Sequence, residues 1–222
     1  MDGSPLGTAM DLPPRPLPRK RLHEGRSVCL QPLAQAHLSA LWQAAQGADS
    51  SWTYLRYGPF PSEIAMAEQV KDFSRRHDQP FWAVCPKPGG TAKGWLSLCD
   101  IYPVDAAIEI GSVWFSPGLQ RSRAATEAIF LLMRHVFDDL GYQRLVWRCA
   151  AVNEASQAAA QRYGFRPEGI WRSAVIVKGW QRDVAWFSML ALEWPARKAA
   201  LAAWLDDGNF DEAGRALNRL ER

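Results

Sequence analysis

The sequence predicts a mixed α/β domain on a mostly antiparallel sheet, and three observations carry the prediction. Apolar, β-rich runs at Phe81–Cys85, Gly94–Ile101 and Ala106–Phe115 follow one another with turn residues between them, the spacing of a strand meander. A long helical pattern, Ala124–Leu140, comes directly after that meander. More β-rich runs then follow it, so strands and helices neither alternate strictly nor separate into blocks. With 222 residues, 48% of them hydrophobic, the chain suits one domain with a sizeable core and short appendages.

Residues 1–25 form a proline-rich, basic arm: Pro13, Pro14, Pro16 and Pro18 stand among Arg15, Arg19, Lys20 and Arg21. That composition predicts a loosely ordered segment lying on the domain or on a partner. Regular patterning starts near Ser27. Val28, Leu30 and Leu33 mark a first strand, and Ala34–Gln46 is a helix, with Leu38, Leu41, Trp42 and Ala45 at helical spacing and Gly47 as its stop. Trp52–Pro61 is aromatic and broken by Gly and Pro. Ser62 is the expected cap of a helix whose apolar positions are Ile64, Met66, Ala67, Val70 and Phe73. After the meander, Ala124–Leu140 places Ala125, Ala128, Ile129, Leu132 and Val136 on one face, and Gly141 ends it. Leu145–Ala151 reads as strand and Ser156–Tyr163 as a short helix. Phe165–Ile170, Ala174–Lys178 and Val184–Leu192 close the sheet, with a hairpin turn at Lys178-Gly179. The tail, 195–222, carries two amphipathic helical patterns separated by Asp206-Asp207-Gly208, a docking appendage to the 26–194 domain.

Several function classes are disfavoured. A net charge of +3 is too mild for a polyanion binder, so no nucleic-acid partner is expected. No apolar run approaches the ~20 residues that span a bilayer, and the N-terminus lacks a signal-peptide core, so the expectation is a cytoplasmic protein with no membrane partner. Cys29, Cys85, Cys99 and Cys149 sit in or beside apolar runs without CxxC spacing and read as free thiols. His23, His37, His77 and His135 have no ligand-type neighbours at metal spacing, so no metal is assigned. Eleven tryptophans must largely line a core or cleft; with the terminal helices, they are compatible with a homodimer.

The segment from Val113 through Gln120, Arg121, Ser122, Arg123, Ala124, Ala125 and Thr126 is a strand, a tight loop and a helix start. The first amides of a helix lack intrahelical partners and the helix dipole favours negative charge there, so such a turn suits a phosphate. Two arginines add charge and two alanines leave room. A solvated basic loop is the plainer alternative. Neither GxGxxG nor GxxxxGK[ST] is present, which disfavours dinucleotide-binding and P-loop enzymes.

Gln120, Arg123 and Ala125 occupy the specified positions of [RQ]-x-x-G-x-[GA], so the stretch resembles the coenzyme A-binding motif of the GNAT superfamily of N-acetyltransferases, with Arg123 in place of its central Gly. Ala125-Thr126-Glu127-Ala128 is similar to the ATEA continuation of the RimJ/RimL-like branch. Glu109-Ile110-Gly111 is similar to its EIG strand, Asn153–Ser156 to its N-x-x-S segment, Gly164–Gly169 to GFxxEG, and Arg182-Asp183 to RD. The resemblance covers about residues 26 to 194, with these motifs in the expected order.

The resemblance implies the GNAT acyl-CoA N-acyltransferase fold, in which the sheet splays into a V-shaped cleft flanked by helices. It further implies acetyl-CoA as co-substrate and direct attack by a small-molecule or peptide amine, without an acetyl-enzyme. Pantetheine would pair with backbone near Trp114 and Phe115, and a backbone amide of that strand would polarise the thioester carbonyl. Arg123 fits if its backbone stays helical and its side chain swings outward, where its charge could supplement the site. Asn153 would bond the pantetheine or cap a helix. Glu109, a lone carboxylate in an apolar strand, is the first candidate base, and Asp183 the second; a structural carboxylate is the alternative for Glu109. Ser156 matches the residue that this branch is thought to use to protonate the leaving thiolate, since the family's usual Tyr is Ala160 here, and helix capping is its alternative. Trp52, Tyr54, Tyr57 and Phe60 fall where the acceptor cleft lies, with core packing as the alternative. Arg123 and Ala160 also leave open a non-catalytic acyl-CoA-binding module.

Overall fold

The computed structural model describes residues 11–220. The chain runs β1 (His23–Glu24), β2 (Val28–Pro32), α1 (Leu38–Ala45), α2 (Glu63–Arg75), β3 (Phe81–Pro86), β4 (Gly94–Tyr102) and β5 (Ala107–Phe115). It continues through α3 (Arg123–Arg134), β6 (Arg144–Ala150), α4 (Glu154–Arg162), β7 (Arg166–Val177), β8 (Trp180–Leu190) and α5 (Trp194–Trp204). The strands form one sheet in the order β1-β2-β3-β4-β5-β6-β8-β7. Every neighbouring pair is antiparallel except β5 and β6.

Both faces of the sheet are covered, which is why its central strands read as unbroken apolar runs rather than as alternations. On β3, Trp82 and Val84 point into a core shared with α3, whereas Phe81, Ala83 and Cys85 point into a second core under α1 and α2. Ser62 caps α2 as expected, its Oγ accepting from the Ala65 amide. Ile64 is 78% exposed and is not one of that helix's core positions. Lys178 and Gly179 both have positive φ, 52° and 79°, the backbone of a tight hairpin turn. The runs expected at 165–170 and 174–178 are one bent strand, β7, kinked at Ser173.

Helix α3 is buried all round from Ala124 to Met133, not on one face only. The sheet takes one side; α5 and the tail take the other, with Trp194, Leu201, Trp204 and Leu205 in the same core. The second tail helix does not form. Residues 210–216 fold back as a turn, with Gly214 at φ 73° and Phe210 bridged to Ala216, because a glycine inside so short a pattern removes what helical preference it had. Arm residues 1–10 lie outside the described residues. The rest of the arm lies on the domain, where Arg15 N donates to the Pro103 carbonyl and Trp82 Nε1 to that of Arg21.

Glu127 belongs to the ATEA motif, yet it is buried and its carboxylate holds the start of β2. It accepts from Arg26 N at 2.7 Å, Ser27 N at 2.6 Å and Ser27 Oγ at 2.6 Å. Gly25 lies so close that a Cβ there would stand 2.5 Å from the Glu127 carboxyl carbon. In glutamine one of the two oxygens becomes an NH2, which faces either the Arg26 amide or the Ser27 amide and hydroxyl, donors it cannot accept from. Glu127→Gln is therefore expected to cost about 2–3 kcal/mol, read as a lower urea midpoint at unchanged m; an unchanged midpoint would dismiss this bracing role.

Candidate active site

The one parallel contact in the sheet is short. β5 and β6 pair at Ala107 with Arg144, Ile108 with Leu145 and Glu109 with Val146, and no further. Beyond Glu109, β5 continues to Phe115 and β6 to Ala150 without pairing each other. Two strands that part at their carboxyl ends leave backbone donors and acceptors facing a gap, the place where open α/β sheets take ligands.

A bulge bends β5 at this point. Three residues of β4, Trp95 to Ser97, lie opposite four of β5, Gly111 to Trp114, and Ser112 sits at φ 50°. Side chains from three other elements strap the bulge. Tyr57 Oη donates to the Ser112 carbonyl at 3.1 Å and accepts from Trp95 Nε1 at 3.1 Å. Gln79 Nε2 donates to Ser112 Oγ and Ser97 Oγ, and Ser97 Oγ donates to the Gly111 carbonyl. Burial pushes the Tyr57 phenol upward, so it stays protonated and able to donate. Gln79 and Ser97 escape a reading of the sequence because neither belongs to a motif.

The turn before α3 follows the carboxyl end of β5. Ser122 caps the helix, its Oγ accepting from Ala125 N at 3.0 Å, and Arg121 takes the positive φ, 59°. The amides of Arg121, Arg123 and Ala124 have no hydrogen-bond partner among the described residues. Arg121 is exposed and its guanidinium is likewise unpartnered among them. These groups are what the turn offers to a phosphate. Gln120 is turned back, Nε2 donating to the Phe115 carbonyl at 2.9 Å, and so braces the loop. Thr126 Oγ1 donates to the Ser122 carbonyl and accepts from Arg162. Arg123 is the first residue of α3, so its backbone needs no glycine; its side chain swings outward to Leu205, Asp207 and Phe210. Its guanidinium is occupied there, and the expectation that its charge supplements the turn is corrected.

Glu109 occupies the last rung before the strands part. It is 6% exposed, is ion-paired with Arg148 Nε, and stands beside Cys99. Burial pushes its carboxyl up, the Arg148 guanidinium opposes this, and the pKa settles at about 7. Asp100 pairs with the same arginine. Asp183 is exposed on β8, and its Oδ1 accepts from Ser173 N at 2.7 Å at the kink of β7. Asn153 caps α4, Oδ1 accepting from Ser156 N, which commits its side-chain oxygen to the helix. Ser156, in the first turn of α4, has its Oγ accepting from Trp147 Nε1 at 3.0 Å and its hydroxyl hydrogen-bonded to the Cys149 sulfur.

The aromatic segment divides. Trp52 is 1% exposed and stacks on Trp114 at 4.2 Å, with Phe60 edge-on at 5.3 Å. Trp52 and Phe60 belong to the second core, and Tyr57 to the strap of the bulge, so none of these three faces the cleft as a wall. Trp114 Nε1 donates to Ser51 Oγ, so Trp114 too presents only backbone to the gap. Tyr54 alone is on the surface, bonded to the Val152 carbonyl and 5.8 Å from the Arg182 guanidinium.

A lone parallel pair thus parts beside a bulge, and β5 leads into a turn and a helix N-terminus whose amides are unpartnered among the described residues. Residues 27–166 match the model of the Acetyltransferase (GNAT) domain. The chain belongs to the GNAT acetyltransferase family, whose members use acetyl-CoA as co-substrate. It is 43% identical to a GCN5-related N-acetyltransferase from Brucella melitensis, with a TM-score of 0.91 over 93% of this chain and 95% of that one. A probable acetyltransferase of the GNAT family from Chromobacterium violaceum is 40% identical, with a TM-score of 0.79 over 87% of this chain and 100% of that one. The Bacillus subtilis protein named "Putative ribosomal N-acetyltransferase YdaF" is 31% identical over 170 residues, 76% of this chain and 92% of its own length. Among the described residues no helix is long and apolar enough to cross a membrane.

Proposed function

We propose that this chain moves the acetyl group of acetyl-CoA to a primary amine, an N-terminal α-amine of a protein, in one step within the gap between β5 and β6. The observation that carries the reading is the end of β5–β6 pairing at Glu109, on a strand that leads into a helix N-terminus with unpartnered amides. The name of the Bacillus subtilis relative favours a protein acceptor, specifically a ribosomal one.

The amides of Arg121, Arg123 and Ala124, with the Arg121 guanidinium, take the pyrophosphate. The open edge of β5 near Trp114 and Phe115 pairs with the pantetheine. The bulge at Ser112 turns a backbone N–H toward the thioester oxygen, which gains negative charge as the carbonyl carbon becomes tetrahedral. Glu109, directly or through a water, accepts the proton of the attacking amine. As the N–C bond forms and the C–S bond breaks, the Ser156 hydroxyl passes a proton to the departing sulfur and takes one back from solvent. Tyr54 and Arg182 stand at the rim where a peptide enters.

The test is thiol release from acetyl-CoA over a panel of N-terminal peptides, including those of ribosomal proteins, beside small amines. Acceptor-dependent release with at least one α-amine peptide is the expected result. Release with small amines alone would move the acceptor class. Tight coenzyme A binding without release from any acceptor would leave a non-catalytic acyl-CoA-binding module.

A further inference from the structure

The departure of Arg123 from the family's glycine is matched by a structure built on the far side of it. Asp207 Oδ1 lies 2.5 Å from the Arg123 guanidinium, the Leu205 carbonyl accepts from it at 2.5 Å, and the Phe210 ring lies 4.3 Å beneath its Cζ. Three kinds of contact, ionic, hydrogen-bonded and cation–π, thus converge on one side chain that is only 20% exposed. The segment supplying them is itself ordered from within. Buried Asn209 donates to the Trp204 carbonyl and accepts from both nitrogens of Asn218. Trp204 lies under Arg162, which donates to Thr126 in the first turn of α3. The tail is therefore fastened to the phosphate-facing end of α3 at Arg123 and again through Arg162.

Without that segment, an arginine at the first position of the helix would be long, flexible and five-fold donating beside the amides of Arg123 and Ala124. Lying over them, it would exclude a pyrophosphate from the unpartnered donors. A guanidinium can itself bind phosphate, as that of Arg121 is read to do, but ordering a second long, free side chain over the ligand costs rotamer entropy that the oriented amides do not incur. Arg123 and the tail are thus two halves of one arrangement.

We propose that Asp207 and Phe210 are positioning residues for the coenzyme site: they hold the Arg123 side chain away from the turn and so permit an arginine where the family carries glycine. The proposal rests on the reading of this turn as the coenzyme A site. It concerns residues that lie outside the matched 27–166 region.

Calorimetric titration with coenzyme A tests it on the full chain, with thermal melts to verify folding. Asp207→Ala and Phe210→Ala are each expected to raise Kd about tenfold, the loss of one charge-assisted contact's worth of binding. In an Arg123→Gly background the same two changes are expected to alter Kd by less than about twofold, since no guanidinium remains to be held. Equal losses in both backgrounds, or unchanged or tighter binding in the Arg123 background, would overturn the proposal. Should the tail variants melt early, Arg123→Gly alone decides. Binding within about twofold of the parent fits an arginine that is merely held aside, and a tenfold loss shows that the guanidinium itself grips the ligand and overturns the proposal. A parent chain that binds no coenzyme A refutes the reading of the turn and the proposal with it; binding that ignores the tail refutes the proposal alone.

Discussion

Glu109→Gln is expected to lower kcat/KM by about 10²–10⁴-fold, the range for removing a positioned general base. Acetyl transfer requires a neutral amine, and Glu109 is the one buried carboxyl at the rung where β5 and β6 part. With a pKa of about 7, raised by burial against the pull of Arg148, it is half ionised near neutrality. The base acts when deprotonated, so kcat/KM of the parent should climb from pH 6 to pH 8 with a midpoint near 7, and the glutamine variant should lack that limb. Stability should respond in the opposite sense. A carboxyl whose folded pKa lies above its unfolded value contributes stability that is complete below the unfolded pKa and is lost as pH rises through the folded one. Glu109→Gln should therefore gain stability relative to the parent on going from pH 5 to pH 8. If the variant kept full activity and an unaltered pH profile, Glu109 would be a structural carboxylate bound to Arg148 and nothing more.

Features set by neighbours in the chain were legible in the sequence. The Ser62 cap, the Lys178-Gly179 turn and the strands from Phe81 to Phe115 each follow from residues within a few positions of one another. Features set by distant partners were not. The bulge at Ser112 is invisible in IEIGSVWF, because what bends the strand is a strap of Tyr57, Gln79 and Ser97. Glu127 looks like an exposed helix charge until Arg26 and Ser27 arrive a hundred positions away. Arg123 reads locally as a flaw in a phosphate turn; its partner Asp207 lies 84 positions on, in a stretch whose pattern promised a helix boundary and nothing else. The site itself divides the same way. Backbone placement around residues 109–126 follows the motif order, while the side chains of Gln120, Asn153 and Asp183 are engaged in bracing loops and caps.

Trp52→Ala is expected to destabilise the fold by about 3–5 kcal/mol, the cost of emptying a large aromatic site in a packed core. The indole is fully enclosed, stacked on Trp114 and tilted against Trp95 at 5.6 Å, with Gly58 pressed so closely that a Cβ would fall 2.6 Å from the ring. No neighbour can collapse into that space without moving β5, because Trp114 is itself a rung of the strand and is paired to Trp95 across it. The loss should therefore reach the cleft: Trp114 and Phe115 are the residues whose backbone is proposed to pair with the pantetheine, and a cavity behind Trp114 lets that edge shift. Urea unfolding measures the first effect, and the KM for acetyl-CoA measures the second, which should rise even at temperatures where the variant is folded. Trp52→Phe keeps a stacked ring over Trp114 and should lose less of both. If alanine cost under about 1 kcal/mol, the range of surface substitutions, the aromatic segment would be a mobile cover instead of a core. Its tyrosines, rather than Trp52, would then have to account for the rigidity of the bulge.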